Sequence, residues 1–144
     1  KTTAAVTVSN AVTISGTALE VTAALVTADT LVVAGTANVT ISDEISVDDV
    51  NAIADKTDGV VTATLITGDL ASFSALAETG NAYTVTVNDA DTETLAASDL
   101  STLGGKTTAA VTVSNAVTIS GTAAEVTAAL VTGGVWLAAR RRAA

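Results

Sequence analysis

Residues 1–27 read KTTAAVTVSNAVTISGTALEVTAALVT, and residues 106–132 read KTTAAVTVSNAVTISGTAAEVTAALVT. They differ at one position, Leu19 against Ala124, and stand 105 residues apart. Identity at this level marks a recent tandem duplication or a designed repeat, so internal repetition is the first property to explain. Within each copy the chain alternates apolar and hydroxyl residues, as in Val6-Thr7-Val8 and Val12-Thr13-Ile14. Period-two alternation of β-branched residues is a strand signal. The copy then passes through Gly16 to Thr17, with Glu20 three residues later. That spacing is a capping box: the Thr oxygen satisfies an N–H of the first turn, and the Glu reaches back to the cap.

The same order recurs between the copies. Strand-like alternation appears at Val39-Thr40-Ile41, Val61–Leu65, Tyr83–Val87 and Val117-Thr118-Ile119. A capping residue followed four places on by an apolar one marks helix starts at Thr17/Val21, Ser46/Val50, Asp69/Phe73, Asp91/Leu95 and Thr122/Val126. The helices, including DLASFSALAET and DTETLAASDLSTL, are expected to be short. Helices below about 12 residues are marginal alone and need packing. The packing residues are read as Val21/Leu25, Val50/Ile53, Phe73/Leu76, Leu95/Leu100 and Val126/Leu130.

A strand followed by a helix forces the next strand to be parallel, and a unit of 20–30 residues cannot bury its own apolar face. The expected fold is therefore an α/β solenoid of stacked strand–helix repeats over residues 1–132. It has a parallel sheet on one side and short helices on the other. Residues 133–144, GGVWLAARRRAA, form a non-repeat tail, read as an engineering scar or a cap. The apolar strand residues, from Val6, Val8, Val12 and Ile14 through Val117 and Ile119, are assigned to the core, and the hydroxyl residues to the outer face. Gly59, Gly80 and Gly104-Gly105 are expected to end helices in the left-handed conformation.

Composition excludes much chemistry. Cys, His, Met and Pro are absent, and Phe73, Tyr83 and Trp136 are the only aromatics. There is no disulfide framework, thiol nucleophile, His-dependent triad or His-ligated zinc. Nothing places a base beside a nucleophile, and no phosphate-binding glycine loop occurs, so the chain is expected not to be an enzyme. Its net charge of −9 argues against nucleic acid as a partner. Mean hydropathy is high, +0.54, yet apolar runs reach only four or five residues. A membrane span needs about 20, so none is expected. Without an initiator Met or a leader, Lys1 is read as the start of an excised or processed segment.

Val61–Phe73, Asn81–Thr92 and Val117–Val126 carry a Thr/Val/Ala-rich pattern of alternation, turn and cap. That pattern resembles the tandem repeat regions of giant bacterial extracellular surface or adhesin-like proteins, many of them type I secreted. The resemblance implies an extracellular or cell-surface location and a structural, self-assembling role, with neighbouring repeats or end-to-end copies as partners. An alternative is an engineered or excised repeat segment with no activity of its own.

Two candidate sites remain. Asp89, Asp91 and Glu93 place three carboxylates at alternate positions, and oxygen-rich clusters hold Ca²⁺, which would make this a calcium-stabilised adhesin module. Thr62, Thr64, Thr84 and Thr86 would form an outward ladder for ice or another ordered surface.

Overall fold

A computed structural model describes residues 2–27, 29–132 and 134–137. In chain order the described elements are β1 (Val6–Thr7), β2 (Thr13–Gly16), α1 (Ala18–Leu25), β3 (Val32–Val33), β4 (Asn38–Ile45) and α2 (Val47–Ala54). Then come β5 (Val61–Leu65), a 3₁₀ turn (Leu70–Phe73), β6 (Ala82–Val87), β7 (Thr94–Ala96) and α3 (Ala97–Gly104). The chain closes with β8 (Val111–Val113), β9 (Thr118–Ser120), α4 (Ala123–Thr127), a π-helical turn (Ala128–Thr132) and β10 (Val135–Leu137).

The fold is α/β, and every described strand pair is parallel. The main sheet has six strands in the order β2-β4-β5-β6-β8-β10, and β1-β3 and β7-β9 form two-stranded sheets beside it. In every pair the partner residues lie 20 to 26 positions apart along the chain. Alternation explains the burial. In β5, Val61, Ala63 and Leu65 are buried while Thr62 and Thr64 are exposed. The core lies between this inner strand face and Val21, Val50, Ile53, Phe73, Leu100 and Leu103. α1 packs on α2 and α3 on α4. Val126 and Leu130 are only half-buried.

Thr17 and Thr122 form complete capping boxes with Glu20 and Glu125, while Ser46 and Asp69 accept the N–H groups of Asp49 and Ser72. Two expected helices differ. DLASFSALAET forms one 3₁₀ turn and no longer helix. The reason is Asn51 of α2, whose side-chain amide donates to Ala75 O at 2.9 Å and accepts from Ala77 N at 3.1 Å. The stretch beyond Phe73 is thereby bonded to a neighbour and not to its own preceding turn.

Asp91 caps no helix. Thr94–Ala96 is taken by pairing with β9, and α3 starts only at Ala97, with Ala96 at the cap and Leu100 four places on. The cap positions are thus 17, 46, 69, 96 and 122, with steps of 29, 23, 27 and 26. Parallel pairing outweighed a local cap, and it made the spacing of the last two units more even.

Two assignments to the core are corrected. Val6 is 46% exposed and Val12 38%. They belong to the first copy, whose strands have, among the described residues, no pairing partner on their upstream side. Of the glycines expected to end helices, only Gly80 has a positive φ, at +88°. Gly59 serves another need: a Cβ there would lie 2.2 Å from Ala37 O.

Candidate functional site

The carboxylates of Asp89, Asp91 and Glu93 lie on the turns between β6 and β7. Each of the two aspartates serves a different neighbour. Asp89 Oδ2 accepts from Leu70 N at 2.8 Å, and Asp91 Oδ1 accepts from Ala116 N at 3.0 Å. Glu93 is exposed, and its backbone carbonyl accepts from Thr118 N at 2.7 Å. Among the described residues no group of three acidic, His or Cys side chains could hold a metal ion. Asp43 repeats the role of Asp89, accepting from Ala18 N at 2.6 Å. In both cases an acid from the following unit sits at the first helical N–H of the preceding one, where the helix dipole favours negative charge.

The hydroxyl candidates are partly brought together. Thr64 and Thr84 are register partners, but Thr62 faces Ala82, and Thr86 pairs with Thr112 one strand further on. A bulge in β4 between Thr40 and Glu44 puts Glu44 beside Thr64. Consecutive Thr rows are therefore broken by Ala82 on one side and Glu44 on the other.

A groove of about 330 Å³ opens beside α3 because the third unit has a 3₁₀ turn where its neighbours have eight-residue helices. Leu70, Phe73, Leu95 and Leu103 line it, with Asp89, Asp99 and Lys106 at its polar positions. Lys106 Nζ donates to Ala77 O at 2.9 Å.

The most specific geometry lies where the second sequence copy meets the unit before it. β6 pairs with β8 and β7 with β9, and α3 packs on α4. Thr107 Oγ1 accepts from Tyr83 N at 2.8 Å and donates to Tyr83 O at 2.7 Å. Thr108 N donates to Asn81 O at 2.9 Å, Ser114 N to Val87 O at 2.9 Å and Asn115 Nδ2 to Asp89 O at 2.7 Å. Val111 and Val113 are fully buried in this seat. The first copy presents the same residue types in a different setting. Thr2 closes only a local turn with Ala4, and Thr3, Ser9 and Asn10 are exposed.

Sheet membership also changes between copies. β1 pairs with β3 in a side sheet while β2 edges the main sheet; in the second copy β8 enters the main sheet and β9 the side sheet. β10 pairs with β8 as β3 pairs with β1. The tail therefore supplies a strand, and Arg140–Arg142 lie outside the described residues.

The inter-unit Asn and Thr side chains were not singled out in the sequence. Asn38 and Asn81 each precede an alternating run, and their Oδ1 atoms accept from Val60 N and Val61 N. An Asn directly before an alternation is the signal that marks them. Comparison with family models, curated proteins and solved structures finds no match to this chain. No described helix is long and apolar enough to cross a membrane.

Proposed function

We propose that the chain is a segment of an α/β solenoid that acts as a structural repeat of a large extracellular bacterial surface or matrix protein. Its work is geometric: units stack through parallel pairing, and the array spans distance and presents a repeated face. No single catalytic centre is needed. The observation that carries this reading is the duplicated 27-residue sequence. One copy is seated on an upstream unit, and the other holds the same docking groups with that side open. In repeat arrays stability is approximately a sum of unit terms and nearest-neighbour interface terms, so the seating of the second copy is the contact that a unit upstream of the first copy would make. The surface location follows from the resemblance of Val61–Phe73, Asn81–Thr92 and Val117–Val126 to secreted repeat regions.

The test is a lengthened chain in which residues 1–105 occur twice before residues 106–144. Four cap-to-cap steps span one period, and parallel strands stack about 4.8 Å apart, so small-angle scattering should show an object about 19 Å longer. Unfolding should stay a single transition with a larger denaturant slope. Two independent transitions, or no added length, would overturn the array reading. Surface labelling of the producing cells with an antibody to residues 1–27 tests location, and a signal confined to the cell interior overturns it.

A further inference from the structure

We propose that the open upstream face of residues 2–27 is a docking surface for a second copy of this chain. In that exchange residues 2–27 of one molecule take the seat on residues 81–105 of another and displace its residues 107–132. The proposal rests on the array reading above and adds the partner and the contacts.

The chain itself shows what covers this sequence. Around the second copy the seat consists of β6, β7 and α3, together with Asn81, Tyr83, Val87 and Asp89 as hydrogen-bond partners. The groups that grip it are Thr107, Thr108, Ser114 and Asn115, and their counterparts in the first copy are Thr2, Thr3, Ser9 and Asn10. The apolar pair that fills it, Val111 and Val113, corresponds to Val6 and Val8. Val111 has no exposed surface, whereas Val6 is 46% exposed. The one differing position does not touch the seat's apolar core, because Leu19 is 79% exposed and Ala124 is exposed as well. Every contact the second copy makes through a conserved side chain is therefore available to the first copy of another molecule.

The balance between the two seatings is set by concentration. A tethered segment competes at an effective concentration on the order of millimolar. β10 also pairs with β8 and further favours the tethered copy. At 0.1 mM chain the exchanged fraction is on the order of a tenth at most. Exchange of an identical element between molecules is a low-barrier route to assembly, and here it runs head to tail, so it extends without closing.

A disulfide trap reads this on the full chain, which has no cysteine of its own. Thr86 is the register partner of Thr112, and Thr112 corresponds to Thr7. In the exchanged state Thr7 of one molecule and Thr86 of the other would be strand neighbours about 4.8 Å apart, within disulfide reach. Chains carrying Thr7→Cys and isotope-labelled chains carrying Thr86→Cys are mixed under mild oxidation and the mixed dimer is quantified by mass. The control pair is Thr7→Cys with Thr40→Cys, an outer-face strand position more exposed than the half-buried Thr86. Mixed dimer should form at least tenfold faster with Cys at 86. Equal rates overturn the exchange.

A second measurement weakens the tethered copy. Val111→Asp/Val113→Asp should associate progressively with concentration, and a free peptide of residues 1–27 should dissolve the assemblies by capping the seat. Adding Val6→Asp/Val8→Asp should leave a monomer. The same state for both variants, monomeric or aggregated, also overturns the exchange. A lengthened chain that unfolds in one transition would still uphold the array reading in that event.

Discussion

Val6→Ala and Val111→Ala make the same substitution in the same local sequence, and the structure assigns them different penalties. Val111 sits in β8 between β6 and β10 with no exposed surface. Val6 pairs only with Val32 and is 46% exposed. Removing the two methyls at Val111 forfeits about 0.8 kcal/mol for each buried carbon and leaves a cavity, for a total of about 2–3 kcal/mol. At Val6 about half of that transfer term is already lost to water and no closed cavity forms, so the penalty is about 0.5–1 kcal/mol. The lower strand preference of Ala acts on both sites and largely cancels in the comparison. For a chain of this size 1 kcal/mol moves Tm by roughly 2–4 °C, so Val111→Ala should lower Tm by about 4–12 °C and Val6→Ala by about 1–4 °C. Urea titration should give the same order of effects, with the slope unchanged. Equal penalties would refute the claim that the first copy lacks a neighbour. In the chain lengthened by one period, the same substitution at the Val6 of the inserted second period, which has a unit upstream of it, should cost the Val111 value.

Three further outcomes follow from single sites. The Tyr83 hydroxyl is buried with no hydrogen bond of good geometry among the described residues, and burial, with the Glu78 carboxylate adding and the Asn81 side chain opposing, pushes its pKa up to about 12. Tyr83→Phe should therefore raise stability by about 1 kcal/mol in urea denaturation, since an unpaired buried polar atom carries a desolvation penalty; a loss of stability would show the hydroxyl to be paired. Thr92 has φ +73°, a left-handed conformation unfavourable for a β-branched residue, and it is exposed. Thr92→Asn should gain about 0.5–1 kcal/mol by the same assay, because Asn tolerates that region, and no gain would count against the strain. Glu20 and Glu125 have pKa values held below the ordinary 4.5 by the backbone N–H and then the hydroxyl of Thr17 and Thr122. A depressed folded pKa gives stability that is present above the unfolded value and lost as pH falls through the folded one. Glu20→Gln/Glu125→Gln should thus flatten the fall in urea midpoint below about pH 4.5, and an unchanged acid limb would exclude the capping carboxylates as its cause.

Local signals read from the sequence held where the local interaction is also the strongest one available. The boxes at Thr17 and Thr122 form as spaced, and β5 covers Val61–Leu65 with alternating burial. They did not hold where a neighbouring unit offered the backbone a better partner. Asp91 is a sound cap residue, but Thr94–Ala96 pairs with Thr118–Ser120, and the aspartate turns to Ala116. Asn51 likewise holds Ala75 and Ala77 where Ala-rich composition predicted a helix. The Thr ladder depended on register. Alternation specifies which face a residue occupies, but the offset between strands decides that Thr62 faces Ala82. The acidic candidates were legible as helix-start charges, but the helix that Asp89 serves belongs to the preceding unit.

The duplicated segment separates what a sequence encodes by itself from what its neighbours impose. Both copies form two strands and a boxed helix, so strand and cap positions are local properties. The copies nevertheless exchange sheet membership, and their buried sets differ: Val21 and Leu25 are buried in the first copy, whereas Val111, Val113 and Ala129 are buried in the second. Burial and sheet membership are therefore set at the interfaces between units. A sequence with this property is suited to a repeat: it carries docking groups for an upstream and a downstream neighbour and completes its core only between them. Thr107 and Asn115 are then not incidental surface residues. They bond to backbone atoms at Tyr83 and Asp89, so they fix register without requiring particular neighbouring side chains. Register held through backbone atoms survives drift in the neighbours' sequences. Parallel pairing accordingly continues through the segments capped at Ser46, Asp69 and Ala96, whose sequences differ from the 27-residue copy.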